Sequence, residues 1–151
     1  MSTVGYKTAL VSLLIVFIGL GCSQQAQQAA TVTVGGQTIA VRVAKTQSEQ
    51  AKGIAGTKEL SWNEGMLFPF SSKRELVFWM KGMLIPIDIV WIADGHIVGI
   101  EENVPLPPAG ASDDVLPTYR SPVPADTVLE VKAGFSAKYG LKAGDIVTWQ
   151  R

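Results

Sequence analysis

The residues from Val77 to Ile92 read VFWMKGMLIPIDIVWI, and Lys81 and Asp88 are their only ionisable side chains. A run this apolar belongs in a core, where a lone charge is costly unless it is paired or neutralised. The two charges flank GMLIP, in which Gly82 and Pro86 bend the chain between two strands. Three partners can hold Asp88: Lys81, Arg120, or backbone N–H groups of the turn at Pro86. In the structural reading Asp88 pins that turn or the proline-rich loop between Val104 and Pro124. In the functional reading Lys81 and Asp88 form the polar floor of an apolar ligand cleft.

Two other constellations carry chemistry. Met80 and Met83 form M-x-x-M, and thioethers are soft ligands suited to Cu(I). With Trp79 adjacent, and with His96, a weak copper site can be drawn, although methionine is also the ordinary filler of irregular cores. A single histidine argues against zinc. No serine stands in a G-x-S-x-G elbow, which argues against triad hydrolysis. The second constellation is TYRSPVPAD, Thr118 to Asp126. There Tyr119 and Arg120 give a rigid loop an aromatic face and a planar donor, suited to a carboxylate, a sugar or an extended peptide. The candidate ligand-binding set is therefore Trp79, Lys81, Asp88, Tyr119 and Arg120, with no cofactor.

The elements that must position these residues are mostly strands. TVTV and QTIAVRVAK, around Gly35-Gly36, predict a hairpin. Thr46 and Glu49 fit a capping box, and Gly53 and Gly56 end the helix that it opens. GMLFPF (Gly65 to Phe70) and ELVFWM (Glu75 to Met80) are strand-like. In IDIVWIADGHIVGIEE the Asp94-Gly95 pair suits a type I′ turn. Alternation puts Asp88 with Val90 and Ile92 on one face and Ile87, Ile89 and Trp91 on the other, so both faces are apolar. Six prolines between Val104 and Pro124 predict a long loop, a kind of segment that is often functional. TVLEVKAG and GDIVTW return to strand, with a short helical turn at FSAKYG between them. The expected fold is mainly β, a compact antiparallel sandwich or barrel with one or two short helices.

The N-terminal end has a different composition. MSTVGYKTALVSLLIVFIGLGC has one basic residue, Lys7, then an apolar run from Ala9 to Leu20 that stops at Gly21-Cys22. The run is too short to span a bilayer, which takes about 20 apolar residues, and has the layout of a secretory signal peptide. The position of Cys22, the chain's one cysteine, resembles the lipidation site of bacterial lipoproteins, with Gly19 where that pattern usually has leucine. The expected organisation is a signal peptide over 1–21, a lipid-anchor cysteine and tether over 22–30, and a single β-rich domain over 31–151. Without residues 1–21 the chain has 12 basic and 13 acidic side chains. That balance excludes a charge-driven nucleic-acid binder.

The segments AKGIAGTKEL, EGMLFPF, FWMKGMLIPIDIVWIADGHIVGIEENV and YRSPVPADTVLEVKAGFSAKYGLKAGD together resemble the domain-of-unknown-function 192 family. The resemblance spans roughly Val41 to Val147. It implies a small, mostly antiparallel β fold, often exported or lipid-anchored, and no assigned reaction. Where that family often has Met-Lys-Asn-Thr, this chain has Met80-Lys81-Gly82-Met83. The expected protein is thus a non-catalytic accessory lipoprotein of the cell envelope that binds a small ligand, a glycan or an envelope protein. The alternatives are an enzyme acting on an envelope polymer with Asp88 as its acid or base, and a periplasmic Cu(I)-binding protein.

Overall fold

The computed structural model describes Met1 and residues 29–150 of the chain. Residues 2–28, with Cys22 and most of the expected signal peptide and tether, lie outside the described residues. Strands β1 (Ala29–Val34) and β2 (Gln37–Val43) bury every second residue, so one face is core and the other is solvent. They turn at Gly35-Gly36, where φ is 56° and 72°, values open to glycine without steric cost. Pairing starts at Ala29 opposite Arg42, two residues before Thr31, so the end of the expected tether belongs to the sheet.

Helix α1 (Gln47–Lys52) opens with the expected capping box. The Thr46 hydroxyl accepts the Glu49 N–H at 3.2 Å, and the Glu49 carboxylate accepts the N–H groups of Thr46 and Lys45 at 2.9 Å each. Those two donors hold the Glu49 carboxyl below its ordinary range. The helix lies in the crossover from β2 to β3 (Glu64–Arg74), which run parallel. Every other pairing in the large sheet is antiparallel, as expected. A hairpin forces antiparallel pairing, but the connection from Ala44 to Asn63 is long enough to return the chain in the same direction.

Strand β4 (Val77–Trp79) is shorter than the expected Glu75–Met80. At Leu76 only half of the next ladder pair forms, since its carbonyl accepts Ser121 N–H at 2.9 Å but its own N–H goes to Ser121 Oγ at 3.0 Å. Beyond Trp79 the Met80 carbonyl accepts from Met83 at 3.2 Å in a turn. Strands β5 (Ile87–Ala93) and β6 (His96–Val104) form the hairpin at Asp94-Gly95, with φ of 50° and 74°. The proline-rich stretch is ordered. It holds a 3₁₀ turn (Asp113–Val115) and strand β7 (Thr118–Arg120), which pairs with β4. Strand β8 (Ala125–Lys132), helix α2 (Phe135–Tyr139) and strand β9 (Val147–Gln150) complete the chain.

The large sheet runs β6-β5-β8-β3-β2-β1-β9. It curls until its edges meet at one end, where Val147 N–H reaches the Gly95 carbonyl at 2.8 Å and Ile97 N–H reaches Asp145 at 2.9 Å. The fold is mainly β and barrel-like, as expected. Strand β5 is buried on both faces, and the two faces serve two cores. Val90 and Ile92 join the inner core with Val32, Leu67, Leu129 and Phe135. Ile87, Ile89 and Trp91 join an outer core with Met66, Phe68 and Val128, which α1, the chain after it and the β4–β7 pair cover.

Candidate functional site

Strand β8 turns Val128 and Glu130 toward the outer core. Glu130 lies opposite Met66 on β3 and Ile89 on β5 and is 4% exposed. The chain leaving α1 descends onto its carboxyl group. A side-chain carbon at Gly53 would stand 3.3 Å from Glu130 Oε2, so the absence of one lets the backbone approach this closely. Burial pushes the Glu130 carboxyl up to about 8, and a backbone hydrogen bond from Ile54 and the charge of Arg42 only partly oppose it. At neutral pH the group is mostly a neutral acid. Its Oε2 has no hydrogen-bond partner among the described residues.

Glu130 bounds the inner end of a cleft between α1 and β4. The outer part of the cleft, about 250 Å³, is walled by Gln50 and Ala51 on one side and by Phe70, Val77, Phe78 and Trp79 on the other. The inner end narrows to about 20 Å³, bounded also by Gly53, Lys81, Met83 and Glu130. Phe78 is held by edge-on contacts to Phe68 and Trp91, with ring centres 5.0 and 5.6 Å away. Trp79 stays 42% exposed, and Lys81 Nζ lies 5.3 Å from its ring centre. A larger depression of about 370 Å³ lies beside β1 and β2, but none of its polar side chains, Arg42, Thr57, Glu59 and Glu64, is buried. The cleft is the better candidate because an apolar hollow converges there on one buried polar group.

A second buried carboxyl, Asp88, does different work. It is fully buried on the inner face of β5. Asp88 Oδ1 accepts the N–H groups of Asn103 at 2.8 Å and Gly134 at 2.9 Å, and Oδ2 accepts Ser136 N–H at 2.8 Å. Gly134 is the N-cap of α2 and has no side chain to cap with, so Asp88 caps that helix from a distance.

Residues 30–149 match the family model described as "Uncharacterized ACR", DUF192. The chain belongs to the DUF192 family. Two solved structures share the fold. One is a protein of Sinorhizobium meliloti 1021, provisionally described as a transcription regulator; it is 29% identical with a TM-score of 0.72 over 82% of this chain and 95% of that one. The other is a protein of unknown function from Novosphingobium aromaticivorans, 31% identical with a TM-score of 0.68 over 80% of this chain and 84% of that one. No curated protein matches the chain.

Within this DUF192 fold the residues singled out from the sequence separate. Trp79 and Lys81 meet at the cleft. Lys81 pairs with Asp113 of the proline-rich loop and not with Asp88. Tyr119 stands opposite Phe78 in the β4–β7 pair, and Arg120 pairs with Glu75. Asp88 faces the inner core, on the other side of the sheet from Glu130. Met80 and Met83 are buried in the outer core at 1% and 8% exposure. His96 is exposed at the β5–β6 turn, its Nδ1 3.0 Å from the Asp94 carbonyl oxygen. Among the described residues no group of three or more His, Cys, Asp or Glu side chains could hold a metal. Sequence reasoning missed Glu130. Its signal was present, a lone acid in the apolar strand TVLEV, and the argument applied to Asp88 applies equally there.

Proposed function

We propose that this DUF192 protein is a non-catalytic binding module that uses the α1–β4 cleft and is tethered to the cell envelope by lipid on Cys22. Glu130 carries the binding half of this reading. An ionisable group held at 4% exposure with one oxygen unpartnered costs stability that an apolar residue of similar size would not. Folds keep such costs mainly where a site needs them. The exposed Trp79 ring at the mouth supplies the anchoring surface typical of ligand and partner sites.

The envelope half rests on the sequence, on the apolar run Ala9–Leu20 ending at Cys22 and on the Gln/Ala stretch that follows. Among the described residues no helix is long and apolar enough to cross a membrane. Cells fed an alkyne fatty acid are expected to label the wild-type chain and not a Cys22→Ser variant. An unlabelled wild-type chain removes the anchor.

The cleft is tested by a thermal-shift panel of peptidoglycan fragments, oligosaccharides, short peptides and alkylamines. A probe at about 100 times its Kd should stabilise the fold by about 2.7 kcal/mol, a shift of several degrees. Trp79→Ala should lose that shift while melting cooperatively without the probe. A flat panel, or a shift that survives Trp79→Ala, rules the cleft out as the site.

A further inference from the structure

We propose that the α1–β4 cleft takes a primary ammonium group on a slender apolar stem, with the ammonium against the Glu130 carboxyl group and the stem between Phe78, Trp79 and Met83. This rests on the cleft being a binding site and names what it binds.

Size excludes most heads. The inner end holds about 20 Å³, room for a single group the size of a water molecule. An ammonium fits, whereas a carboxylate, a phosphate or a sugar ring does not. Hydrogen-bond polarity then requires a donor. The Gln50 side-chain amide donates to the carbonyls of Ala44 at 3.3 Å and Pro69 at 3.2 Å, which leaves its carbonyl oxygen as the end available to the cleft. The Glu130 carboxyl, whose Oε2 is unpartnered among the described residues, also only accepts in its ionised form. The walls favour a positive donor over a neutral one. Aromatic faces attract cations, and the thioether of Met83 is polarisable. Lys81 already uses Trp79 in this way, from 5.3 Å.

The cations around the site are Arg42 of β2, whose charge acts on Glu130, and Lys52 and Lys81, which line the inner end of the cleft, with Lys81 offset by Asp113. Together they would repel a cation if the carboxyl stayed neutral. Binding therefore exchanges the carboxyl proton for the ligand's charge. The O–H proton leaves to solvent, the carboxylate takes the ammonium as its partner, and the net charge of the site is unchanged. Because burial holds the free carboxyl near 8, that exchange is measurable at neutral pH.

The full chain, purified in a neutral detergent, is titrated by calorimetry with pentylamine, Nα-acetyl-lysine amide, pentanol and pentanoate. Buffers of different ionisation heat are used to count protons. The amine or the lysine derivative is expected to bind with release of close to one proton at pH 6.5. Affinity should rise by up to tenfold per pH unit from 6 toward 8. The tighter of the two names a free amine or a lysine side chain as the source. Glu130→Gln, which mimics the neutral acid, should weaken binding at least tenfold and abolish proton release. Proton release by the wild type decides the matter even if that variant fails to fold.

Pentanol binding as tightly as pentylamine, amine binding without proton release, or unchanged affinity in Glu130→Gln overturns the proposal. If no amine binds while another probe gives a shift that Trp79→Ala removes, the ammonium reading falls and the cleft stands. If no probe of either kind binds, both fall.

Discussion

Asp88→Ala is expected to lose at least about 3 kcal/mol of stability, since each buried N–H left unsatisfied costs about 1–3 kcal/mol and three depend on this one side chain. The consequence reaches several elements. Asn103 has a positive φ of 52°, and Asp88 holds its N–H in that uncommon conformation. Gly134 and Ser136 carry the first turn of α2, and Phe135 between them fills the inner core at 0% exposure. Releasing the carboxylate therefore loosens the end of β6, the start of α2 and a core aromatic together. Domains are stable by only about 5–15 kcal/mol, so the loss is a large share of the whole.

Asp88→Asn should fall between the wild type and alanine. One amide oxygen can serve Asn103 and Gly134, but the amide nitrogen then faces the Ser136 N–H, donor against donor. Urea midpoints of the three proteins check the order. Ligand affinity measured on the folded fraction should be unchanged, because Asp88 and the cleft lie on opposite faces of the sheet. A wild-type midpoint in Asp88→Ala would show that the three donors find other partners.

The second large effect concerns pH. Glu130 holds its proton up to about 8 in the folded state, against an ordinary 4.5 in the unfolded chain. Below pH 4.5 both states are protonated and the group adds no penalty. Between 4.5 and 8 the unfolded chain gives up its proton while the folded protein keeps it, so the folded state loses up to tenfold in its equilibrium constant per pH unit. Above 8 both states are ionised and the penalty is constant, on the order of 5 kcal/mol.

Glu130→Gln removes that dependence, because the amide does not titrate. At pH 5 the variant should match the wild type closely. At pH 9 it should be the more stable protein by most of the penalty, with a midpoint raised in proportion. Every other titrating group is common to the two proteins, so the difference between their curves isolates Glu130. Parallel curves from pH 5 to 9 would mean that Glu130 ionises normally in the fold, and they would weaken the case for the cleft with it.

The capping box at Thr46 and Glu49, the turns at Gly35-Gly36 and Asp94-Gly95, and the double-faced burial of β5 were legible because each depends on residues a few positions apart. Turn chemistry, capping and alternation act over that range, and they were enough for a mainly β domain. The shortened β4 was less legible, because Ser121, far along the chain, takes the N–H that would have extended it. The proline-rich loop was recognised as a long connection. Its pairing with β4 and its grip on Lys81 through Asp113 were not visible in its composition.

The candidate site depended still more on the tertiary structure. Glu130 could be assigned by alternation to the face of Val128, but only the packing of Gly53 and Ile54 over that face makes it a buried acid. Lys81 and Asp88, seven positions apart in one apolar run, invited a shared role. The β4–β5 bend sends them to different partners, Lys81 to Asp113 and Asp88 to the backbone of Asn103, Gly134 and Ser136. That charges in this run must be satisfied follows from the residues alone, because desolvation is a property of the residue. Which groups satisfy them was decided by the tertiary structure, because hydrogen bonds and ion pairs act over a few ångströms and only the fold brings distant donors that close.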